Sequence, residues 1–160
     1  MTRFGWSGAP DLWDIHQGKK LRTYNLPESE WTARQWDTDA AFSRVVVVSE
    51  KKWQKQCSIS VFEIQTGALV ACHALDGAFT YVTVSADGAV AAVQRCGSGI
   101  LGIHLGTGEV LGSFTGDAPI EAVAVNHDGS SILAVESSGQ MHCLAIEGLE
   151  LLRLLQKKAL

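Results

Sequence analysis

No apolar run in these 160 residues approaches the ~20 that a membrane-spanning helix needs. Met1–Pro10 has neither the basic start nor the apolar centre of a secretory leader. Charge is scarce as well, at 19% of residues, and 13 basic against 17 acidic side chains leave a net charge of -4. The basic residues are spread over several segments, which argues against a nucleic-acid-binding face. Three prolines against sixteen glycines, with no Gly-X-Y period, exclude collagen-like and proline-rich linker classes. Only four cysteines occur, Cys57, Cys72, Cys96 and Cys143, and none has C-x-x-C spacing, so neither a zinc ribbon nor a redox motif can be drawn. They are expected to be reduced, buried thiols of a cytoplasmic protein. His73 follows Cys72 and His142 precedes Cys143, but neighbours on a strand point to opposite faces, so no metal site is expected. Apolar residues, by contrast, make up 46% of the chain, enough for one domain that buries roughly 70% of its unfolded surface.

Self-comparison reveals a repeat. Val84-Ser-Ala-Asp87-Gly88 returns 41 positions later as Val125-Asn-His-Asp128-Gly129, and Phe62-Glu-Ile64-Gln-Thr66-Gly67 returns, again 41 later, as Ile103-His-Leu105-Gly-Thr107-Gly108. Leu144-Ala-Ile146-Glu-Gly148 is a further copy, and Trp13-Asp14-Ile15-His-Gln-Gly18 is an earlier one, 49 before Phe62. The eight extra residues imply a loop, placed in part at Glu50–Gln56 (EKKWQKQ). Within one unit, β-branched and aromatic runs bounded by glycine turns predict four strands: Phe79–Ser85, Ala89–Arg95, Ile100–Leu105 and Glu109–Phe114. Asp87 and Asp128 fall in equivalent tight turns, where the carboxylate accepts backbone N–H groups.

A period near 40 with four strands per unit is the pattern of a β-propeller. The chain here resembles the WD-repeat family. Trp13-Asp14 matches that family's dipeptide and Phe62-Glu63 is a conservative echo, while Ile103-His104 and Leu144-Ala145 depart from it; Ser85-Ala-Asp87-Gly88 and His127-Asp128-Gly129 are similar to its Ser-Pro-Asp-Gly corner. No Gly-His precedes a first strand, and the family's aspartate is missing from the turns at Cys96–Gly99 and Ser137–Gly139, so its buried tetrad is expected to be absent. Tyr81-Val82-Thr83 is similar to quinoprotein-type repeats, which keeps another divergent propeller open.

The expected architecture is all-β, a partial β-propeller of four-stranded antiparallel blades occupying residues 1–160. Residues 11–26 form a half blade (strands Asp11–Ile15 and Leu21–Leu26), residues 31–74, 79–114 and 119–155 form blades, and 156–160 form a tail. That makes fourteen strands, or three and a half blades. Known propellers close with four to eight, so each end is expected to expose an apolar blade face that other proteins or further blades of the same polypeptide cover. Glu147–Leu160 reads as a strand over Leu149–Leu154 by register, although its leucine stripe and terminal lysines also suit a helix.

Motifs with chemistry are few. Gly97-Ser-Gly99-Ile-Leu-Gly102 matches G-x-G-x-x-G, but Gly106-Thr-Gly108 interrupts the helix a dinucleotide would need. Glu121 and Glu136 stand without a visible acid–base partner in the sequence, and no Gly-x-Ser-x-Gly elbow occurs. No catalytic residue, cofactor site, metal site or small-molecule substrate is therefore expected. The most unusual surface feature is Lys51-Lys52-Trp53-Gln54-Lys55, where Lys51, Lys52 and Lys55 surround Trp53 as a candidate protein contact. The expected function is a non-enzymatic protein–protein interaction scaffold within a larger regulatory protein. The alternative is a propeller-based enzyme or ligand-binding domain whose site lies on other blades.

Overall fold

Short β-branched runs separated by glycine-bearing turns leave the chain little choice but to fold back on itself strand by strand. The structure, a computed structural model, describes residues 9–27, 30–51, 56–147 and 149. Thirteen strands form among the described residues, and each pairs antiparallel with the next within its sheet. The first sheet has two strands, β1 (Asp11–Asp14) and β2 (Lys19–Thr23). The second has four, β3 (Trp31–Thr38), β4 (Arg44–Lys51), β5 (Gln56–Glu63) and β6 (Leu69–Asp76). The third has β7 (Phe79–Val84), β8 (Val90–Arg95), β9 (Gly99–His104) and β10 (Val110–Thr115). The fourth has β11 (Ile120–Val125), β12 (Ser131–Glu136) and β13 (Met141–Ala145). Of the fourteenth strand expected at Leu149–Leu154, only Leu149 is described; it is buried and helical, and the rest lies outside the described residues.

Part of the eight extra residues of the second unit lies at Glu50–Gln56, where a loop was expected, but Glu50, Lys51 and Gln56 are strand residues, and Lys52–Lys55 lie outside the described residues. Glu50 and Lys51 end β4 and Gln56 opens β5, with Glu50 paired to Cys57. Both strands are eight residues long against six in β8 and β9, so four of the eight extra residues lengthen the two strands of this hairpin.

The sheets stack because alternate residues of the middle strands face opposite ways. Val45 and Val47 join Tyr24, Ala33 and Phe62 in a cluster against the first sheet, whereas Val46 and Val48 join Ile59, Val82, Val84, Val93 and Ile103 in a cluster between the second and third. Ala91 and Val93 point back into that same cluster, while Ala92 and Ile100 point forward to Ile120, Val123, Ile132 and Ala134 of the fourth sheet. Val46, Val47 and Val48 are all fully buried, as expected for strands covered on both faces. Successive sheets approach through their first strands, β3 against β7, and β11 against β7 and β8.

Polar contacts fix the same spacing. The Asp37 carboxylate accepts the Val84 N–H at 2.9 Å, and the Ala40 N–H donates to Ala86 O at 3.1 Å, tying one sheet's first hairpin to the next. At the opposite edge, Arg22 of β2 donates to the Gln65 and Thr66 carbonyls, and His73 of β6 lies 2.9 Å from Leu105 O. Each of these side chains lies over a turn glycine, Gly67 or Gly108, both at φ 75°; a Cβ there would overlap the Arg22 chain or the His73 ring. The thiols depart from expectation. Cys57 is buried between sheets, but Cys72, Cys96 and Cys143 are exposed, because they sit on an outer strand, in a turn and on the far face of the fourth sheet.

Ile59, Ile100 and Met141 occupy equivalent positions 41 apart, and their exposures are 0%, 1% and 69%. Ile59→Ala should cost about 2–5 kcal/mol in urea unfolding. Met141→Ala, measured at low protein concentration, should cost no more than about 0.5 kcal/mol. Equal losses at the two positions would show that the stacking is misassigned.

Candidate interaction surface

Among the described residues, exposed apolar faces occur at both ends of this stack. On the fourth sheet, Ala124 faces Leu133 and Leu133 faces Cys143 across the ladder, while Ala122 faces Val135 and Val135 faces Met141. This row looks away from the third sheet and is apolar throughout, with Leu133 43% exposed. At the other end, Trp13 and Ile15 of the first sheet are 39% and 65% exposed. Their repeat counterparts are Phe62 and Ile64, and then Ile103 and Leu105, which pack against the preceding sheet. Both ends thus present residue types that the repeat elsewhere buries, and such contiguous apolar faces mark contact surfaces.

Among the described residues the first sheet has two strands, and a cavity of about 360 Å³ lies between it and the second sheet, lined by Leu12, Tyr24, Trp36, Phe42, Val45 and Ile64. Burial raises the pKa of the Tyr24 phenol, with Arg22 opposing that rise. Phe42 is the residue that sequence reasoning missed. It is 70% exposed at φ 52°, in the place taken by Gly88 (φ 69°) and Gly129 (φ 72°) in the next two sheets. A bulky residue in the left-handed region carries a cost of order 1–3 kcal/mol. The signal was the missing glycine in Asp39-Ala-Ala-Phe42-Ser43 when aligned with Ser85-Ala-Asp-Gly88-Ala89.

Of the four sequence candidates, Lys51 closes β4 and lies 3.5 Å from Glu30, beside the Arg34–Glu50 pair at 2.6 Å. Lys52, Trp53 and Lys55 lie outside the described residues. The structure thus places Lys51 at the end of a strand.

Glu136, buried at the end of β12, has partners that the sequence did not show. Its carboxylate accepts the Asp117 N–H, the Ser138 hydroxyl and His142 Nε2, each at 3.0 Å, and His142 rests against Phe114 with ring centroids 4.6 Å apart. A carboxylate at the end of β12 therefore fastens the link from β10 to β11 and the turn to β13, one residue before the turn from which the aspartate is missing. Burial pushes the Glu136 pKa up, but the bonds from Ser138, His142 and the Asp117 N–H outweigh it and hold the pKa below the ordinary carboxylate value. Asp87 and Asp128 accept the Ala89 and Ser130 N–H groups at 3.1 and 3.0 Å, as their matching turns require. A second inter-sheet cavity, about 350 Å³, lies where Gly102 and Gly112 pair opposite each other and is walled by Ile100, Phe114, Ile132 and Ile146. Among the described residues, no three His, Cys, Asp or Glu side chains gather as a metal-binding set.

No family model matches the sequence, and no curated protein matches it either. The fold, however, is similar to that of a solved structure described as the Dos1 propeller, with a TM-score of 0.73 over 88% of this chain at 10% identity. The chain has the fold of a partial β-propeller. It spans 37% of the length of that solved chain.

Because the folded-state pKa of Glu136 is depressed, its bonds stabilise the fold above the ordinary carboxylate pKa, and that stability is lost as pH falls through the depressed value. Glu136→Gln should therefore be less stable than the native chain at pH 7 in thermal unfolding, with the gap narrowing on acidification below pH ~4. A gap that stays constant from pH 7 to pH 3 would remove Glu136 from this role.

Proposed function

We propose that this chain is a non-enzymatic, WD-repeat-like interaction module of the cytoplasm, whose partners are other proteins or further propeller blades. The observation that carries the reading is the pair of apolar end faces, Leu133 and Met141 at one end and Trp13 and Ile15 at the other, at positions whose counterparts in the second and third sheets are buried or packed in the core clusters. Covering several large apolar side chains gains about 1.5–3 kcal/mol each, which is binding energy held in reserve. Phe42, strained and exposed beside the half-sheet cavity, adds an aromatic anchor of the kind enriched in interfaces. The corner turns at Asp87 and Asp128 support the WD-like reading. The carboxylate–imidazole pair of Glu136 and His142 is engaged in fastening strands, which favours a scaffold over an enzyme. Four uncrosslinked cysteines suit a reducing compartment.

A photo-crosslinking amino acid at Leu133, installed in cells that make the protein, should yield a stoichiometric adduct with a polypeptide identifiable by mass spectrometry. The same probe at the exposed outer-strand position Thr115 should yield little. Equal labelling from the two positions, or no polypeptide adduct from Leu133, would refute an interaction role for this face.

A further inference from the structure

We propose that residues 150–160 of this chain cover the cavity between the third and fourth sheets, with the leucines that follow Leu149 packed over Gly102 and Gly112.

The cavity is a gap in the repeat. In the second sheet, Val61 and Ala71 are partners across β5 and β6, and both pack into the cluster between the second and third sheets. The same cross-strand pair 41 positions later is Gly102 and Gly112. Two side chains are thus missing from a face that the second sheet fills, and the space they leave belongs to the cavity of about 350 Å³ walled by Ile100, Phe114, Ile132, Leu144 and Ile146. A Cβ on Gly102 would lie 3.3 Å from Ile132 Cδ1 and 3.4 Å from Ile146 Cδ1, whereas one on Gly112 would meet nothing within 4 Å. Gly112 therefore stands at the open side. Glycine inside a strand marks a place where another group comes close, and apolar walls call for an apolar group.

The chain itself brings one. Leu144 and Ile146 belong to the wall, and the Ile146 N–H donates to Ser130 O at 2.8 Å, which holds the chain beside the cavity as it leaves β13. Leu149, three residues on and so at most ~11 Å away, is helical and 3% exposed. The chain is thus still packed on the body of the protein where the described residues stop. Five of the eleven residues that follow, 150–160, are leucines. Continuing the turn at Leu149 puts Leu151, Leu152, Leu154 and Leu155 along one broad side, with Glu150, Arg153 and Lys157 on the other. Among the described residues the fourth sheet has three strands against four in the second and third, so there is room for this run beside β13. A tether this short holds the leucines near the cavity at an effective concentration of about millimolar or above, which favours this segment over any free partner.

The test uses the whole 160-residue chain. A photo-crosslinking amino acid with a short diazirine side chain, placed at Gly112, should couple to residues 151–155 of the same chain, read by mass spectrometry as a modified peptide from a product of single-chain mass. The same probe at the exposed Thr115 should capture little of that segment. Independently, Gly112→Leu should fill the cavity from its open side and release the run, so that trypsin cuts after Arg153 several-fold faster than in the native chain while the unfolding transition is unchanged; cleavage follows the fraction of time that the bond is free. A Gly112 adduct with a second copy or a different polypeptide, no adduct within the chain, or equal cleavage after Arg153 in a folded Gly112→Leu chain would each overturn the proposal. If Gly112→Leu does not fold, the crosslink decides alone. The interaction role tested at Leu133 stands or falls separately, because that residue lies on the face of the fourth sheet turned away from this cavity.

Discussion

Stability in this molecule depends on alternation along β4 and β5, and β8 and β9. Each of these strands sends neighbouring residues to opposite faces, and each face is covered by a different sheet. Val45 and Val47 belong to one interface and Val46 and Val48 to the next, so no sheet owns a core of its own. A sheet in such a stack is stable only in company, as in other repeat architectures where neighbours supply the buried surface. Hydrogen bonds between successive turns and from Arg22 and His73 set the spacing, but burial supplies the driving force.

That dependence explains why the exposed apolar faces lie at the ends. A middle sheet has no apolar face to offer, because its neighbours have taken both. The last sheet keeps the apolar residues that its position in the repeat prescribes, yet Met141 and Leu133 are exposed where Ile100 and Ala92 are buried. The half-sheet at the other end leaves Trp13 and Ile15 in the same condition. Phe42 at a glycine's place beside the half-sheet fits the same picture, with backbone strain tolerated at a surface rather than in the core.

Much of this was legible in the residues. The 41-residue spacing of the Asp-Gly and Thr-Gly turns placed β7 to β10 within a residue or so at each end, because turn chemistry and β-branched runs agree there. The turn roles of Asp87 and Asp128 were readable for the same reason. The lengthened β4–β5 hairpin was not, since Glu50 and Lys51 look like loop residues until their cross-strand partners are known. Equally hidden were the bulges in β3, β7 and β11, each skipping one residue (Arg34, Thr80 and Glu121) at matching places near the start of the strand. A bulge changes pairing without changing composition, so it leaves little trace in a single sequence. The clasp around Glu136 was missed because its partners, Asp117, Ser138 and His142, come from three separate segments that only the folded chain brings together.

The two-sided stacking is tested most directly by a solution map of methyl and ring proximities along β4, from nuclear Overhauser contacts in a selectively labelled chain. Val46 and Val48 should contact Val82 and Val84, while Val45 and Val47 contact Tyr24 and Phe62. All four valines sharing one set of neighbours would contradict it.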